Sequence, residues 1–263
     1  MENPHPEIDL ALCRSALYEA LAIGFRPPLP EMMRRLLDDH NNEALWGIAS
    51  IIDSVTPAET DSLASLVRKL TECSGPASLD SLENRHRRLF GHTAHAKVPP
   101  YETEYGEHSL FQQPQQLGDI AGFFAAFGLK LKVSEHERSD HISCECEFLS
   151  FLSRKEAYAL QQADESMLEA TRHGQKLFLR DHLARFAHAF VNLLNREDGQ
   201  GFYGTLGQLC LAFLKSECDR FRIPLGPELL PLRPSAPVDE CFTCGSGEEL
   251  VQILRSPSAT QSR

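Results

Sequence analysis

The stretch FLRDHLARFAHAFVNLL, residues 178–194, has the clearest helical pattern in this chain. Its inward residues recur at intervals of three and four, which places them on one face of an α-helix. They are Phe178, Leu179, His182, Leu183, Phe186, Ala187, Phe190, Val191 and Leu194. His182, with Phe178 and Phe186 around it, is interpreted as a histidine satisfied inside the core. The stretch therefore predicts a helix with one buried side.

The same period recurs along most of the chain and predicts an all-α fold. Helices are expected over residues 8–25, 30–37, 43–53, 57–71, 78–90, 119–127, 134–163 and 178–194, and between Gly201 and Phe221. Pro27, Gly128 and Pro224 each follow a predicted helix and prevent its continuation. Because no run of alternating apolar and polar residues accompanies these helices, we expect a compact multi-helix bundle.

Residues 91–118 differ in kind, because they follow neither the helical period nor the strand period and contain several prolines and glycines. A loop of this length inside a compact domain is usually functional or disordered. Its aromatic residues Tyr101, Tyr105 and Phe111 argue against simple disorder. This segment is therefore a candidate functional loop.

The balance of charge argues against nucleic acid as a partner. Asp and Glu total 37 against 26 Lys and Arg, and the formal net charge of −11 gives a field that repels phosphate backbones. No stretch approaches the roughly 18 consecutive apolar residues that a membrane span requires, and the start MENPHPEIDL lacks the features of a secretory signal. We therefore expect a cytoplasmic protein with no membrane span, whose eight cysteines are reduced thiols.

Residues 227–263 are expected to form an extended, partly flexible, proline-rich tail after one all-helical domain over residues 1–226. This tail contains Cys241-Phe-Thr-Cys244, which is half of a tetrahedral thiolate site. Because no further pair of ligands has a matching spacing, Cys241 and Cys244 are weak candidates for a metal. No other metal site is predicted.

Three further segments carry the strongest functional signal. They are PPYETEYG at 99–106, GDIAGFFAAFGL at 118–129, and ERSDH at 137–141, which is followed by Glu145 to Leu149. In this order and spacing, together with FLRDHL at 178–183, they resemble the TorD/DmsD/NarJ-like family of redox-enzyme maturation chaperones. The resemblance implies a TorD-like helical bundle and an activity of binding rather than catalysis.

The resemblance also implies a partner and a cargo. Members of this family bind the twin-arginine signal peptide of the catalytic subunit of a molybdopterin-dependent oxidoreductase, prevent its premature export, and assist insertion of the molybdenum guanine dinucleotide cofactor. The implied chaperone has no tightly bound cofactor, and transient contact with molybdenum guanine dinucleotide or guanine nucleotide is compatible with the family. It is implied to be a monomer or a homodimer.

Motif position within the family assigns six residues to signal-peptide recognition, and the aromatic segment 118–129 adds Phe123. The seven residues are Pro100, Tyr101, Glu104, Tyr105, Phe123, Asp140 and His141. Their chemistry suits this task, because two guanidinium groups followed by an apolar segment require carboxylates beside an apolar groove. Simpler roles stay open: the tyrosines pin the loop to the core, the glutamates are solvated, His141 packs internally, and Asp140 caps the following helix.

Two other functions are compatible with a helical bundle. A metal-dependent enzyme would use some of the 11 histidines and the many carboxylates, but the chain lacks a repeated Glu-x-x-His pair, a glycine-rich phosphate loop and a Gly-x-Ser-x-Gly elbow. Glu145 and Glu147 point to different sides of a helix and do not form an acid/base pair. An adaptor that binds folded partners without leader specificity is the second alternative.

Overall fold

The computed structural model describes residues 6–56, 62–74, 79–91, 96–106, 113–130 and 138–233. All of them belong to the first of the two units into which the chain divides, Met1–Arg233 and Pro234–Arg263. Within these ranges the α-helices are α1 Pro6–Phe25, α2 Pro30–Leu37, α3 Asp39–Val55, α4 Leu63–Ser74, α5 Leu79–Phe90, α6 Gln113–Ala126, α7 Ile142–Gln161, α8 Glu165–Phe178, α9 Ala184–Asp198 and α10 Phe202–Phe221. The only β-pairing among the described residues consists of isolated bridges, so the predicted all-α fold is confirmed.

Most predicted helices are confirmed within a few residues, but the starts of three helices differ. Helix α4 begins at Leu63 rather than near residue 57. Helix α6 begins at Gln113, inside the segment predicted to be irregular. Pro114 is tolerated there because it lies in the first turn, where its missing N–H costs no intrahelical bond. Helix α7 begins at Ile142 rather than near residue 134. Residues 131–137, which include the predicted start of this helix, lie outside the described residues.

A continuous helical segment runs from α8 into α9 and includes a helix that the apolar pattern did not predict. Helix α8 begins after Asp164, whose side chain accepts a hydrogen bond from the amide of Met167. A π-helical turn at Leu179–Leu183 connects α8 to α9. Such turns widen the helix locally and are frequent at functional sites. His182 lies in this turn and is buried, as predicted.

The core lies chiefly among α1, α7, α9 and α10, and aromatic rings fill much of it. Helix α1 packs along α7, helix α9 packs along α10, and α4 packs against both α3 and α10. Fully buried rings include Phe25, Phe186, Phe190, Tyr203 and Phe213. Burial of each such ring contributes roughly 1.5–3 kcal/mol to folding. No helix within the described ranges is long and apolar enough to cross a bilayer.

Candidate functional site

Residues 99–106, called here the 99–106 loop, lie between two other parts of the chain. Tyr101 and Tyr105 are extended, and Glu102–Glu104 between them form a short 3-10 turn. On one side, Tyr101 pairs with His141 as an antiparallel bridge. The amide of Glu102 donates to the carbonyl of Asp140 at 2.8 Å, and the amide of Ile142 donates to the carbonyl of Pro100 at 2.9 Å. This pairing holds His141 in an extended conformation, whereas Asp140 lies in a turn, so α7 begins only at Ile142.

The other side of the 99–106 loop pairs with residues 224–233, called here the strap. The amide of Gly106 donates to the carbonyl of Pro231, and the amide of Arg233 donates to the carbonyl of Glu104, both at 2.8 Å. Earlier in the strap, the amide of Gly226 donates to the carbonyl of Ala184 at 3.0 Å, where the π turn meets α9. The loop is therefore fixed along both edges.

Glu102 attaches the middle of the loop to the π turn. Its carboxylate, only 1% exposed, lies 3.1 Å from Nδ1 of His182 and accepts hydrogen bonds from Nε and Nη2 of Arg185 at 3.0 and 2.6 Å. Burial opposes ionisation of Glu102, but the hydrogen bonds and charges of His182 and Arg185 outweigh it and lower its pKa. Glu102 is therefore a buried anion that its partners compensate.

Glu145 lies in the first turn of α7 and behaves in the opposite way. It is fully buried, and burial, followed by the nearby charges of Glu102 and Asp140, raises its pKa well above the ordinary value. The surroundings of Glu145 therefore favour its protonated, neutral form. The pKa values of the two buried glutamates beside the loop are therefore shifted in opposite directions.

The guanidinium of Arg138 occupies a site formed by four side chains, called here the guanidinium cage: Tyr101, Thr103, Glu104 and Asp140. Nε and Nη2 of Arg138 donate to the two oxygens of Asp140 at 3.0 and 2.7 Å, and Nη2 also donates to Thr103 Oγ1 at 2.6 Å. The guanidinium carbon lies 4.5 Å from the centroid of the Tyr101 ring. Nη1 is 3.6 Å from a carboxylate oxygen of Glu104, which is longer than a hydrogen bond. The cage combines a two-pronged carboxylate contact with an aromatic face.

His141, not Asp140, caps α7, which corrects the alternative that assigned the cap to Asp140. The amide of Ser143 donates to Nδ1 of His141 at 3.1 Å. His141 is 3% exposed. Burial, followed by the positive charges of His86, Arg26 and Arg138, lowers its pKa to about 3. His141 is therefore neutral at physiological pH and has the structural role of a cap.

Tyr105 and Tyr101 differ in exposure, although the sequence places them in one motif. Tyr105 is fully buried beside Phe186, and its hydroxyl donates to the carbonyl of Pro99 at 2.8 Å. Tyr101 is only partly buried, and its ring meets the ring of His141 edge to face at 5.3 Å. The loop is therefore pinned to the core by Tyr105, whereas Tyr101 contributes to its surface.

Helix α6 places Phe123 over the π turn. The Phe123 ring is partly buried and lies edge to face with the rings of Phe178 and His182, at 5.4 and 5.3 Å. Asp119, also on α6, has a carboxylate oxygen 3.4 Å from Nε2 of His182. The His182 ring therefore lies between Glu102 on the loop and Asp119 on α6, and it connects the two family motifs.

The structure divides the seven predicted site residues by exposure. Pro100, Tyr105, Asp140 and His141 are buried and hold the loop in place, whereas Tyr101, Glu104 and Phe123 retain exposed surface. Phe111 and the Cys241/Cys244 pair lie outside the described residues.

Sequence reasoning missed three side chains that complete the site: Arg138, Thr103 and Arg185. A buried aspartate requires a cationic or hydrogen-bonding partner. Arg138 lies only two residues before Asp140, so the sequence could have indicated it as that partner. Arg185 had no such local signal.

The described part of the chain contains neither a metal-binding cluster nor a disulfide. Among the described residues, no group of three or more His, Cys, Asp or Glu side chains is arranged to hold a metal ion. The six described cysteines are free thiols. A groove of about 1030 Å³ is lined by α1, α8 and α10 rather than by the 99–106 loop. Its arginines Arg172 and Arg220 both pair with the buried Glu156.

Comparison with known proteins identifies the family. A family model described as the nitrate reductase delta subunit matches residues 56–192, more than half of the chain. The chain belongs to this family. A TorD chaperone protein of Aliivibrio salmonicida is 25% identical over 187 residues, which cover 70% of this chain and 85% of that protein. A perchlorate reductase assembly chaperone protein of Dechloromonas aromatica is 23% identical over 224 residues, which cover 83% of this chain and 94% of that protein.

These matches confirm the predicted resemblance to TorD-like chaperones. A TorD chaperone protein of Vibrio cholerae serotype O1 is also 26% identical over 173 residues, covering 61% of this chain and 73% of that protein. The family is one of chaperones, so the prediction of a chaperone rather than an enzyme is confirmed. The matched range 56–192 includes the guanidinium cage and the π turn.

Proposed function

We propose that this protein is a cytoplasmic chaperone that binds the twin-arginine leader of the catalytic subunit of a molybdopterin-dependent oxidoreductase. In this proposal it also assists insertion of the molybdenum guanine dinucleotide cofactor before export. Membership of the family and the names of the TorD and perchlorate reductase assembly relatives support the role in assembly of a redox enzyme. Monomeric and homodimeric forms are equally compatible with this role.

The proposal that the protein recognises a leader rests on the geometry of the guanidinium cage. A leader arginine requires a carboxylate that accepts two parallel hydrogen bonds, and an aromatic face adds to its selectivity for arginine over lysine. Asp140 and Tyr101 offer both to Arg138. Because an arginine is already bound in this geometry, the surface of the 99–106 loop has the chemistry that a twin-arginine segment needs.

The exposed and the buried site residues have different roles in this proposal. Tyr101, Glu104 and Phe123 contact the leader, with Phe123 and its neighbours on α6 beside the apolar segment that follows the arginines. Pro100, Tyr105, Asp140 and His141 hold the loop in the conformation that presents these groups. The buried Asp140 is both a positioning residue and the anion to which a guanidinium is attracted.

Calorimetric titration with the leader peptide of a molybdoenzyme from the same organism tests the proposal. The Arg-Arg leader is expected to bind, and the Lys-Lys leader is expected to bind at least about tenfold more weakly, because an ammonium group cannot reproduce the two-pronged contact. Equal binding of the two leaders would favour an adaptor without leader specificity. Binding of neither peptide would contradict the proposed function.

A further inference from the structure

Arg138 approaches the cage from the solvent side. Its side chain is 36% exposed, whereas the carboxylate of Asp140 is fully buried. The anion is therefore a fixed part of the interior, and the cation that neutralises it lies at the surface. A second guanidinium that arrives from solvent meets the cage at the face where Arg138 enters it.

Removal of Arg138 alone from the cage is unfavourable, because a buried carboxylate without a cation is strongly destabilising. Exchange of one guanidinium for another avoids this penalty, since Asp140 and Thr103 keep the same hydrogen bonds and Tyr101 keeps the same stacked group. Arg138 can then move into water by rotation of its own side chain, which has several rotatable bonds and retains solvent contact. Exchange of Arg138 for another guanidinium is therefore more favourable than a cage that holds no cation.

Glu104 provides a second carboxylate for a second guanidinium. It is 14% exposed and lies 3.6 Å from Nη1 of Arg138, so Arg138 does not engage it with a hydrogen bond. Asp140 and Glu104 therefore form one occupied and one incompletely used anionic position on the same loop surface. A segment with two consecutive arginines matches two such positions, whereas a single arginine matches only one.

We propose that Arg138 is an internal stand-in for a leader guanidinium, and that one leader arginine replaces it on Asp140 and Tyr101 while the second pairs with Glu104. This inference rests on the proposed leader binding. It makes Arg138 a competitor that lowers leader affinity and sharpens selectivity, because a leader lysine cannot displace an arginine from a two-pronged site. The opposing hypothesis is that Arg138 acts as a permanent clamp, which holds the loop in place and is not displaced by the leader.

The first measurement compares Arg138→Gln with the unmodified protein in titrations with the Arg-Arg leader. Removal of the competitor is expected to tighten leader binding about tenfold or more, while the Lys-Lys leader stays weak. Arg154→Gln is the matched control, because it removes the same charge from an exposed arginine on α7 that pairs with Glu19. That control is expected to leave the affinity unchanged.

The second measurement probes the cage without the leader. N-acetylarginine amide at millimolar concentration is expected to raise the thermal midpoint of Arg138→Gln by several degrees and to leave Arg154→Gln unaffected. The lysine analogue is expected to stabilise neither variant. If the glutamine variant does not fold, Arg138→Lys retains the charge but loses the two-pronged contact, and it too is expected to bind the Arg-Arg leader more tightly than the unmodified protein.

The outcomes separate this inference from the proposed function. Leader binding by the unmodified protein without any gain in Arg138→Gln or Arg138→Lys overturns the exchange and leaves the chaperone proposal intact. A loss of binding in these folded variants does the same and identifies Arg138 as a clamp. Failure of every protein to bind the leader contradicts the proposed function and the exchange together.

Discussion

Glu102 and Arg185 lie far apart in the sequence, yet their side chains form an ion pair with Nη2 of Arg185 2.6 Å from a carboxylate oxygen of Glu102. The pair fixes the centre of the 99–106 loop to the first turn of α9. Because Glu102 is almost completely buried, its anion has no solvent to replace a lost partner. The loop is therefore tied to the helical body by charge as well as by apolar packing.

Glu102→Gln is expected to lower the free energy of unfolding by roughly 1–3 kcal/mol, because a neutral amide cannot replace the charge-assisted hydrogen bonds that the buried carboxylate makes with Arg185 and His182. Urea denaturation followed by circular dichroism measures this change. Glu147→Gln is the matched control, since the Glu147 side chain is 60% exposed and pairs with Arg26 at the surface. The control is expected to change stability by less than about 1 kcal/mol. Equal losses in the two variants would contradict the role of Glu102.

His141 predicts a specific dependence of stability on pH. Its pKa is about 3 in the folded protein against an ordinary value of 6.5, so below pH 6.5 the unfolded chain takes up a proton that the folded chain does not. Stability therefore falls as the pH falls, by up to about 1.4 kcal/mol per pH unit. Between pH 7.5 and pH 5 the unmodified protein is expected to lose about 2 kcal/mol more than His141→Asn.

Asparagine suits this test because it retains a side-chain acceptor for the amide of Ser143. Urea titrations at the two pH values measure the difference, and all other titrating groups are the same in both proteins. His173→Asn, on the exposed face of α8, is the matched control. Parallel stability curves for His141→Asn and the unmodified protein would show that His141 is protonated when folded.

Tyr101→Ala separates leader contact from loop structure. Tyr101 contributes a stacked face to the cage and retains exposed surface, so its loss is expected to weaken Arg-Arg leader binding about tenfold, in line with the upper range of cation–π contacts. Helical content is expected to stay unchanged. Tyr158→Ala removes a tyrosine that is 53% exposed on α7 and is expected to leave leader binding intact. Unfolding of Tyr101→Ala would mean that the ring only pins the loop.

Gly226→Ala tests the attachment of the strap. A Cβ at this position would lie 2.2 Å from the carbonyl oxygen of Arg185 and 2.7 Å from that of Ala184, so the strap must move away from α9. Hydrogen exchange measured by mass spectrometry is expected to be faster at Arg233, whose amide is bonded to the loop. Gly118→Ala is the control, because its Cβ meets nothing within 4 Å and alanine favours the helix by roughly 0.5–1 kcal/mol. Unchanged exchange in the first variant would contradict the tight approach.

The helical framework was predictable because its apolar residues repeat at helical spacing, but α8 shows where that signal fails. The buried side of α8 includes Thr171, Gly174 and Gln175, which apolar periodicity does not register. A neighbouring ring explains one of them, since a Cβ at Gly174 would lie 2.6 Å from Phe127. Small and polar residues thus fill an interior face that only the tertiary structure defines.

The sequence predicted that these motifs lie together, but it did not predict which of their side chains are exposed. The motifs placed Asp140 and Glu104 in one recognition region, and both do border the guanidinium cage. The burial of Asp140 depends on Arg138 and Thr103, and the fixed position of the loop depends on Arg185. Such pairings between distant segments follow from the fold and leave no periodic trace in the sequence.

The strap determines when the loop can be completed during synthesis. The hydrogen bonds along the outer edge of the 99–106 loop are made with Pro231 and Arg233. When the loop has emerged from the ribosome, these partners have not yet been synthesised. Closure over such a long intervening segment is slow compared with the formation of local helices. A nascent copy of this protein therefore acquires its helical body first, and the outer edge of the 99–106 loop is completed only after residues 224–233 have been synthesised.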